Sequence, residues 1–248
     1  MLVKSQVKYI QSLGHKKFRD ADGVFVAEGP KIVLELLRST NLQLIQCYAS
    51  ETWFLTNSGV EKGREELFNR INEKELERIS FHSSPNQVLA IFSKPVFNGQ
   101  YKSDSITLLL DTIQDPGNLG TIIRTADWFN VKRIICTEDT VDIFNPKVIQ
   151  SAMGSIVRVE LIYTNLPEYI KSRPDVPVIA GSIDGENLEE KIKLSKAMLL
   201  MGNESKGISH ELELLATRRI RIPGKGNAES LNVAVATGII LSRMEVVN

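Results

Sequence analysis

Residues 106–136, ITLLLDTIQDPGNLGTIIRTADWFNVKRIIC, read as strand, loop, helix and strand. ITLLLD (106–111) is a short continuous apolar run of the kind that forms a strand buried on both faces. Asp115, Pro116 and Gly117 then build a turn, and Asn118 is placed to cap a helix beginning at Leu119. Leu119, Ile122, Ile123 and Ala126 recur at core-facing spacing, whereas Thr121, Arg124, Thr125 and Trp128 lie on the other side. KRIIC (132–136) returns to the strand pattern.

The alternation continues downstream. A helix is expected over NPKVIQSAM (145–153), a strand over IVRVELIY (156–163), and a helix near 165–172. Strands PVIAG (177–181), AMLLMG (197–202) and RRIRIP (218–223) follow, with a closing helix from about 230. Strands separated by helical stretches imply an α/β fold with a parallel sheet covered on both faces. Upstream, VFVAEG (24–29) and LQLIQCYAS (42–50) read as strands around a helix PKIVLELLRST, with Pro30 suited to its first turn. EKGREELFNRIN (61–72) reads as a mostly exposed helix, and SSPNQVLAIFSK (83–94) as a turn leading into a strand. The polar VFNGQYKSDS (96–105) separates the two textures. A small α/β domain at 1–97, a linker at 98–105 and a larger domain at 106–248 are therefore expected.

Composition narrows the function classes. The 248 residues carry 30 Lys+Arg against 30 Asp+Glu, with 42% hydrophobic residues, which describes an ordinary globular protein. Cys47 and Cys136 are isolated, with no CxxC pair and no nearby His cluster, so neither a zinc site nor a disulfide framework is indicated. The N-terminus lacks an apolar run with a cleavage site, and no stretch of 18 apolar residues occurs, so a cytoplasmic protein without membrane contact is expected. Zero net charge argues against a protein that coats nucleic acid. Within the first twenty residues, however, Lys4, Lys8, Lys16, Lys17 and Arg19 face only Asp20. This basic arm, with Tyr9 and Phe18 interleaved, is a candidate RNA contact through Lys16, Lys17 and Arg19; the plainer reading is a solvated helix face.

Three segments break the helix and strand rules, each just after an expected strand, where ligands bind in parallel α/β sheets. In the first, Asn118 and Arg124 are carried by one helix, close enough to approach one anionic ligand or ribose. In the second, AMLLMGNESKGIS (197–209), Gly202 lets a ligand approach the backbone while Asn203, Glu204 and Ser205 stand at the rim. In the third, RIPGKGNAESLNVAVATGIIL (221–241), two glycines flank Lys225, and Ser230, Leu231 and Asn232 open a helix that is apolar almost all round. Such a helix must be buried in a core or against another subunit. Taken singly, each segment is equally a turn and a capped helix. Neither GxGxxG nor GxxxxGK[ST] is present.

NLGTIIR (118–124), MGNESKGIS (201–209) and IPGKGNAESLNVAVATG (222–238), in this order, closely resemble the three motifs of the SpoU/TrmH branch of the SPOUT methyltransferases. HKKFRDADGVFVAEGPKIVLELL (15–37) and SSPNQVLAI (83–91) resemble the substrate-binding domain that many members carry, similar to a small ribosomal-protein fold. The resemblance implies a C-terminal trefoil knot, a homodimer through the knotted domain, and S-adenosylmethionine as cofactor. It places Gly202, Ile222 and Leu231 as backbone contacts to that cofactor, with Asn203 at the rim and Gly181 as a further candidate. The reaction implied is methyl transfer to a ribose 2′-hydroxyl, with Arg124 as catalytic residue and Asn118, Glu204, Ser230 and Asn232 positioning it, the ribose and the cofactor. A guanidinium holds its proton too tightly to be a good base, so Arg124 is expected to bind phosphate and stabilise developing alkoxide charge.

The separate N-terminal module favours ribosomal over transfer RNA as substrate. A binding-only member would be expected to have lost Arg124 or the Asn203/Glu204 loop, and neither is lost. A nicotinamide-linked oxidoreductase would need a glycine fingerprint that DTIQDPGN does not supply.

Overall fold

The computed structural model describes residues 1–97, 106–188 and 190–247, and the expected linker at 98–105 lies outside them. The chain forms two compact units, residues 1–97 with 142–157 and residues 98–141 with 158–248.

The first unit opens with two short helices, α1 (Lys4–Ser12) and α2 (Lys16–Asp22), followed by β1 (Val24–Glu28), α3 (Pro30–Leu37), β2 (Leu44–Ala49), α4 (Glu51–Thr56), β3 (Phe68–Arg70), α5 (Glu73–Ile79) and β4 (Val88–Ser93). Its sheet has the order β1-β4-β2-β3, with β4 antiparallel to both of its neighbours and β3 parallel to β2. All five residues of β1 are buried, because α3 and other elements cover the sheet. On one side Val7, Ile10 and Leu13 pack with Leu76, Ile79, Leu89 and Ile91.

The segment 61–72 is not the exposed helix its composition suggests. Turns run to Gly63, whose φ of +79° interrupts a right-handed helix, and a single 3-10 turn at Glu65–Leu67 leads into β3. Phe68 stacks on Trp53 at 6.3 Å and meets Phe54 edge-on at 6.2 Å, which draws the segment onto the sheet. The helix starts later, at α5, where Asn72 and Glu75 form a reciprocal capping box.

A helix at Pro146–Ala152, α7 in chain order, belongs to this unit although the surrounding sequence reads as part of the second domain. It packs on β1, and Phe144 just before it lies 5.3 Å from Phe25.

The second unit is built on a six-stranded parallel sheet. Its elements in chain order are β5 (Ile106–Leu110), α6 (Pro116–Trp128), β6 (Arg133–Cys136), β7 (Glu160–Tyr163), α8 (Leu166–Lys171), β8 (Val178–Asn187), β9 (Ile192–Leu194), β10 (Ala197–Met201), α9 (His210–Glu213), β11 (Arg218–Arg221), α10 (Val233–Leu241) and β12 (Met244–Val246). The sheet order is β11-β8-β10-β5-β6-β7, every neighbouring pair parallel, and β9 pairs with β12 separately. IVRVELIY yields a strand only from Glu160, since Ser155–Val157 is a 3-10 turn. Strand β8 runs beyond PVIAG, and Gly181–Gly185 step out of its ladder with β11: Arg219 pairs with Ala180 and Ile220 with Glu186.

Because all six strands run the same way, the segments leaving the C-terminal ends of β5, β10 and β11 emerge at one edge of the sheet. Those segments, 111–115, 202–209 and 222–232, are the ones whose sequences break the local rules.

Candidate active site

Helix α6 begins earlier than expected. Asp115, rather than Asn118, is its cap: Asp115 Oδ1 accepts from Asn118 N at 2.8 Å, and Pro116 occupies the first helical position. This releases the Asn118 side chain. Its Nδ2 donates to Glu204 Oε1 at 2.6 Å, and its Oδ1 accepts from Asn232 Nδ2 at 2.8 Å. Asn232 uses its own Oδ1 to cap α10, accepting from Ala234 N and Val235 N at 3.0 and 3.3 Å. A carboxylate, an amide and a helix cap, from three widely separated segments, thus form one hydrogen-bonded chain.

Arg124 lies six residues beyond Asn118 on α6, about 9 Å along the axis. It is exposed, and among the described residues it forms no ion pair or hydrogen bond. It lines an open cleft of about 690 Å³ with Thr121, Thr125, Trp128, Val235 and Ile239. The structure therefore brings Asn118, Glu204 and Asn232 into direct contact and leaves Arg124 free beside them. Ser230 is exposed on the 222–232 segment and is bonded to none of these residues.

The 202–209 loop shows why its glycines are there. A side chain at Gly202 would come within 2.3 Å of the Gly207 carbonyl carbon and 2.4 Å of Ile208 N, so only glycine permits this crossing. Gly207 takes a φ of +70° and exchanges backbone hydrogen bonds with Asn203 at 2.9 Å. Asn203 Oδ1 accepts from Ser205 N and Lys206 N, which closes the loop on itself. Gly181, at the end of the first part of β8, faces Met201 Sδ, which a Cβ would approach to 2.8 Å. Ile222 is half-buried beside a second cleft of about 360 Å³ with Leu188, Pro223 and Ile239. Leu231 is 48% exposed.

In the first unit, Lys16 and Lys17 are exposed on α2. Lys16 pairs with Asp20 at 2.5 Å, and Lys17 Nζ sits 4.8 Å from the Phe18 ring centre. Arg19 corrects the expectation of a basic surface stripe. It is only 2% exposed, with Nη1 donating to Leu13 O at 2.7 Å and Nη2 to Asp142 Oδ2 at 2.6 Å. A guanidinium so enclosed is an internal strut and does not present its charge to RNA. Two positions at the site edge were not singled out by their sequence pattern, Asp111 and Thr112. A carboxylate ending an otherwise apolar strand was the available signal.

Two family descriptions match the chain. The SpoU rRNA Methylase family matches residues 105–242, and an MRM3-like substrate binding domain matches residues 4–90. The chain belongs to the SpoU rRNA methylase family. Among its curated relatives, the 23S rRNA (guanosine(2553)-2′-O)-methyltransferase RlmP of Bacillus subtilis is 31% identical over 95% of this chain and 94% of its own length. Among solved structures, an RNA methyltransferase of the TrmH family from Porphyromonas gingivalis superposes with a TM-score of 0.83 at 33% identity, covering 98% of both chains. An AdoMet-bound rRNA methyltransferase from Sinorhizobium meliloti gives 0.82 at 32% identity, covering 98% of this chain and 95% of that one. The α/β fold of this SpoU family member, a parallel sheet preceded by an N-terminal domain, is thus shared along nearly its whole length.

Proposed function

We propose that the chain transfers a methyl group from S-adenosylmethionine to a ribose 2′-hydroxyl of large-subunit ribosomal RNA. The observation that carries this is the Asn118–Glu204–Asn232 chain, which ties the three family motifs together at the ligand edge of the sheet beside an unpaired Arg124. Ribosomal RNA is supported by the relative from Bacillus subtilis and by the substrate-binding domain at residues 4–90. The division of labour is recognition by residues 1–97 and catalysis by the parallel-sheet unit within 106–248, from which 142–157 depart to join the first unit.

The residues present suit the cofactor. Gly202 lets the 202–209 loop fold back tightly at the end of β10, and the half-buried Ile222 and the exposed Leu231 offer apolar surface to a ligand. Gly181, Gly202, Asn203, Ile222 and Leu231 would hold it. When bound, S-adenosylmethionine supplies an activated methyl group, so the protein's work is positioning and charge stabilisation. Arg124, charged and open to solvent, binds the phosphate next to the target ribose and stabilises negative charge on the 2′-oxygen as its proton leaves to water. Asn118, fixed from both sides by Glu204 and Asn232, orients the ribose, and Ser230 stands at the rim.

The open face of α10 supports a homodimer through this domain. Val235 is 51% exposed and Trp128 84%, and both line the cleft that contains Arg124. Burial of that apolar surface by a second copy would place a partner beside the catalytic arginine. A trefoil knot, which the family resemblance implies, would be formed by the C-terminal stretch, in which α10 follows edge strand β11 and packs back on α6. The buried, unpaired Cys47 and Cys136 suit a reducing cytoplasm, and no helix among the described residues is long and apolar enough to cross a membrane.

The test is incubation with labelled S-adenosylmethionine and either unmodified ribosomal or transfer RNA, followed by alkaline hydrolysis. Label is expected in alkali-resistant linkages of ribosomal RNA, since a methylated 2′-oxygen blocks cleavage. Label confined to transfer RNA would reassign the substrate, and label in neither would leave a binding protein.

A further inference from the structure

Thr112 is the only β-branched residue among the described ones with a left-handed backbone, at φ +59°. That conformation is unfavourable for a branched side chain and persists only where the surroundings over-determine it. Here they do. Thr112 N donates to Thr137 Oγ1 at 2.8 Å, its hydroxyl donates to Asp111 Oδ1 at 3.0 Å, and its carbonyl accepts from Asn203 Nδ2 at 2.8 Å. Asp111 is 5% exposed, and its second oxygen accepts from Ser209 N at 2.7 Å. The pair therefore grips the 203–209 loop at both ends, at Asn203 and at Ser209, and Glu204 lies within the gripped segment.

We infer that Asp111 and Thr112 are positioning residues that hold the 203–209 loop against the end of β5, setting Gly202 and Asn203 for the cofactor and Glu204 for Asn118. The left-handed turn is what aims the Thr112 carbonyl at Asn203 while its hydroxyl faces back to Asp111. The inference rests on the proposed reading of this loop as a cofactor site.

Full-length T112A, T112G, T112S and D111A separate the possibilities. Two readouts are needed: the dissociation constant of S-adenosylhomocysteine by calorimetry, and ligand-free amide hydrogen exchange across 203–209. T112A removes the hydroxyl that orients the Asp111 carboxyl group toward Ser209 N, while the backbone bond to Asn203 and a left-handed residue bearing a Cβ remain, so it should weaken the ligand about tenfold and speed loop exchange by a similar factor. T112G, for which the left-handed turn is unstrained, should fall between T112A and the parent, and T112S should stay within about twofold of the parent. D111A should match or exceed T112A; if it fails to fold, T112A decides alone. A merely structural role would lower melting temperature in these variants without changing ligand affinity or loop exchange in the folded protein, and that outcome overturns the inference. If the parent protein does not bind S-adenosylhomocysteine, the cofactor reading falls, and the exchange arm by itself decides whether the tether exists.

Discussion

Helices α2 and α6 each carry an arginine among polar neighbours, and the two arginines end in opposite environments. Arg19 is enclosed, its guanidinium shared between the Leu13 carbonyl and the Asp142 carboxylate; Arg124 stands in an open cleft with no partner among the described residues. An arginine's five donors make it expensive to bury and costly to leave idle. One helix has resolved that tension by pairing the charge internally. The other leaves its guanidinium exposed to water in the cleft beside α10, free to take an anionic ligand, as the proposed function requires.

The largest effect expected from breaking this contrast is on stability. Arg19→Ala strands the Asp142 carboxylate, whose side chain is only 12% exposed, and the Leu13 carbonyl. Breaking a buried pair of this kind costs about 3–5 kcal/mol, measurable as a lower urea midpoint. A loss under about 1 kcal/mol, the worth of an exposed pair, would place Arg19 in the same class as a surface charge. Arg124→Ala should do the reverse. Stability stays within about 0.5 kcal/mol, because no contact among the described residues is lost, while the methyl-transfer rate falls about a hundred- to a thousandfold with cofactor affinity unchanged. Retained turnover would remove Arg124 from the chemistry.

The contrast also shows where sequence reading succeeds. β5, β6 and β10 are legible because short apolar runs buried on both faces cannot be confused with exposed helices at that length, and α6 shows its two faces through spacing alone. The three glycine-bearing segments are legible only together: singly each reads as a turn and a capped helix, and it is their order along the chain that carries the family motifs. What remains hidden depends on partners distant in the chain. Asp142, which buries Arg19, lies in a segment that reads as part of another domain. Asn118 and Asp115 are both good caps within one turn, and only the contact of Asn118 with Glu204 and Asn232 decides between them. In 61–72 a run of charges resembles a helix face, while Phe68, drawn to Trp53 and Phe54, decides for a strand.

A smaller effect separates the remaining charges of α2 from Arg19. Lys16 and Lys17 are exposed, so reversing both to glutamate should leave the fold intact and flatten the salt dependence of RNA binding. With a slope of about −0.7 to −0.9 per phosphate contact, losing two contacts makes the slope shallower by roughly 1.4–1.8. An unchanged slope would mean that α2 carries a solvated face and that RNA affinity resides elsewhere.

The smallest expected effect concerns Asp20, which faces Lys16 and Lys94 across exposed surface at 2.5 Å each. Hydrogen bonds from the two ammonium groups hold its carboxyl at about 2, below the ordinary 3.8. A carboxyl depressed by folding binds its proton more readily in the unfolded chain, so its contribution is full above about pH 4 and is lost as pH falls toward 2. Asp20→Asn should therefore remove one component of acid destabilisation in that window and leave the neutral-pH fold intact. Because the Asp20 side chain is 42% exposed, salt should screen this component strongly, whereas the enclosed Arg19–Asp142 pair should resist the same salt. Urea midpoints of the parent and of Asp20→Asn at pH 2–5, in low salt and in molar salt, measure this directly. Equal salt sensitivity for the Asp20 component and for the Arg19 pair would show that α2 does not divide into an enclosed face and a solvated one.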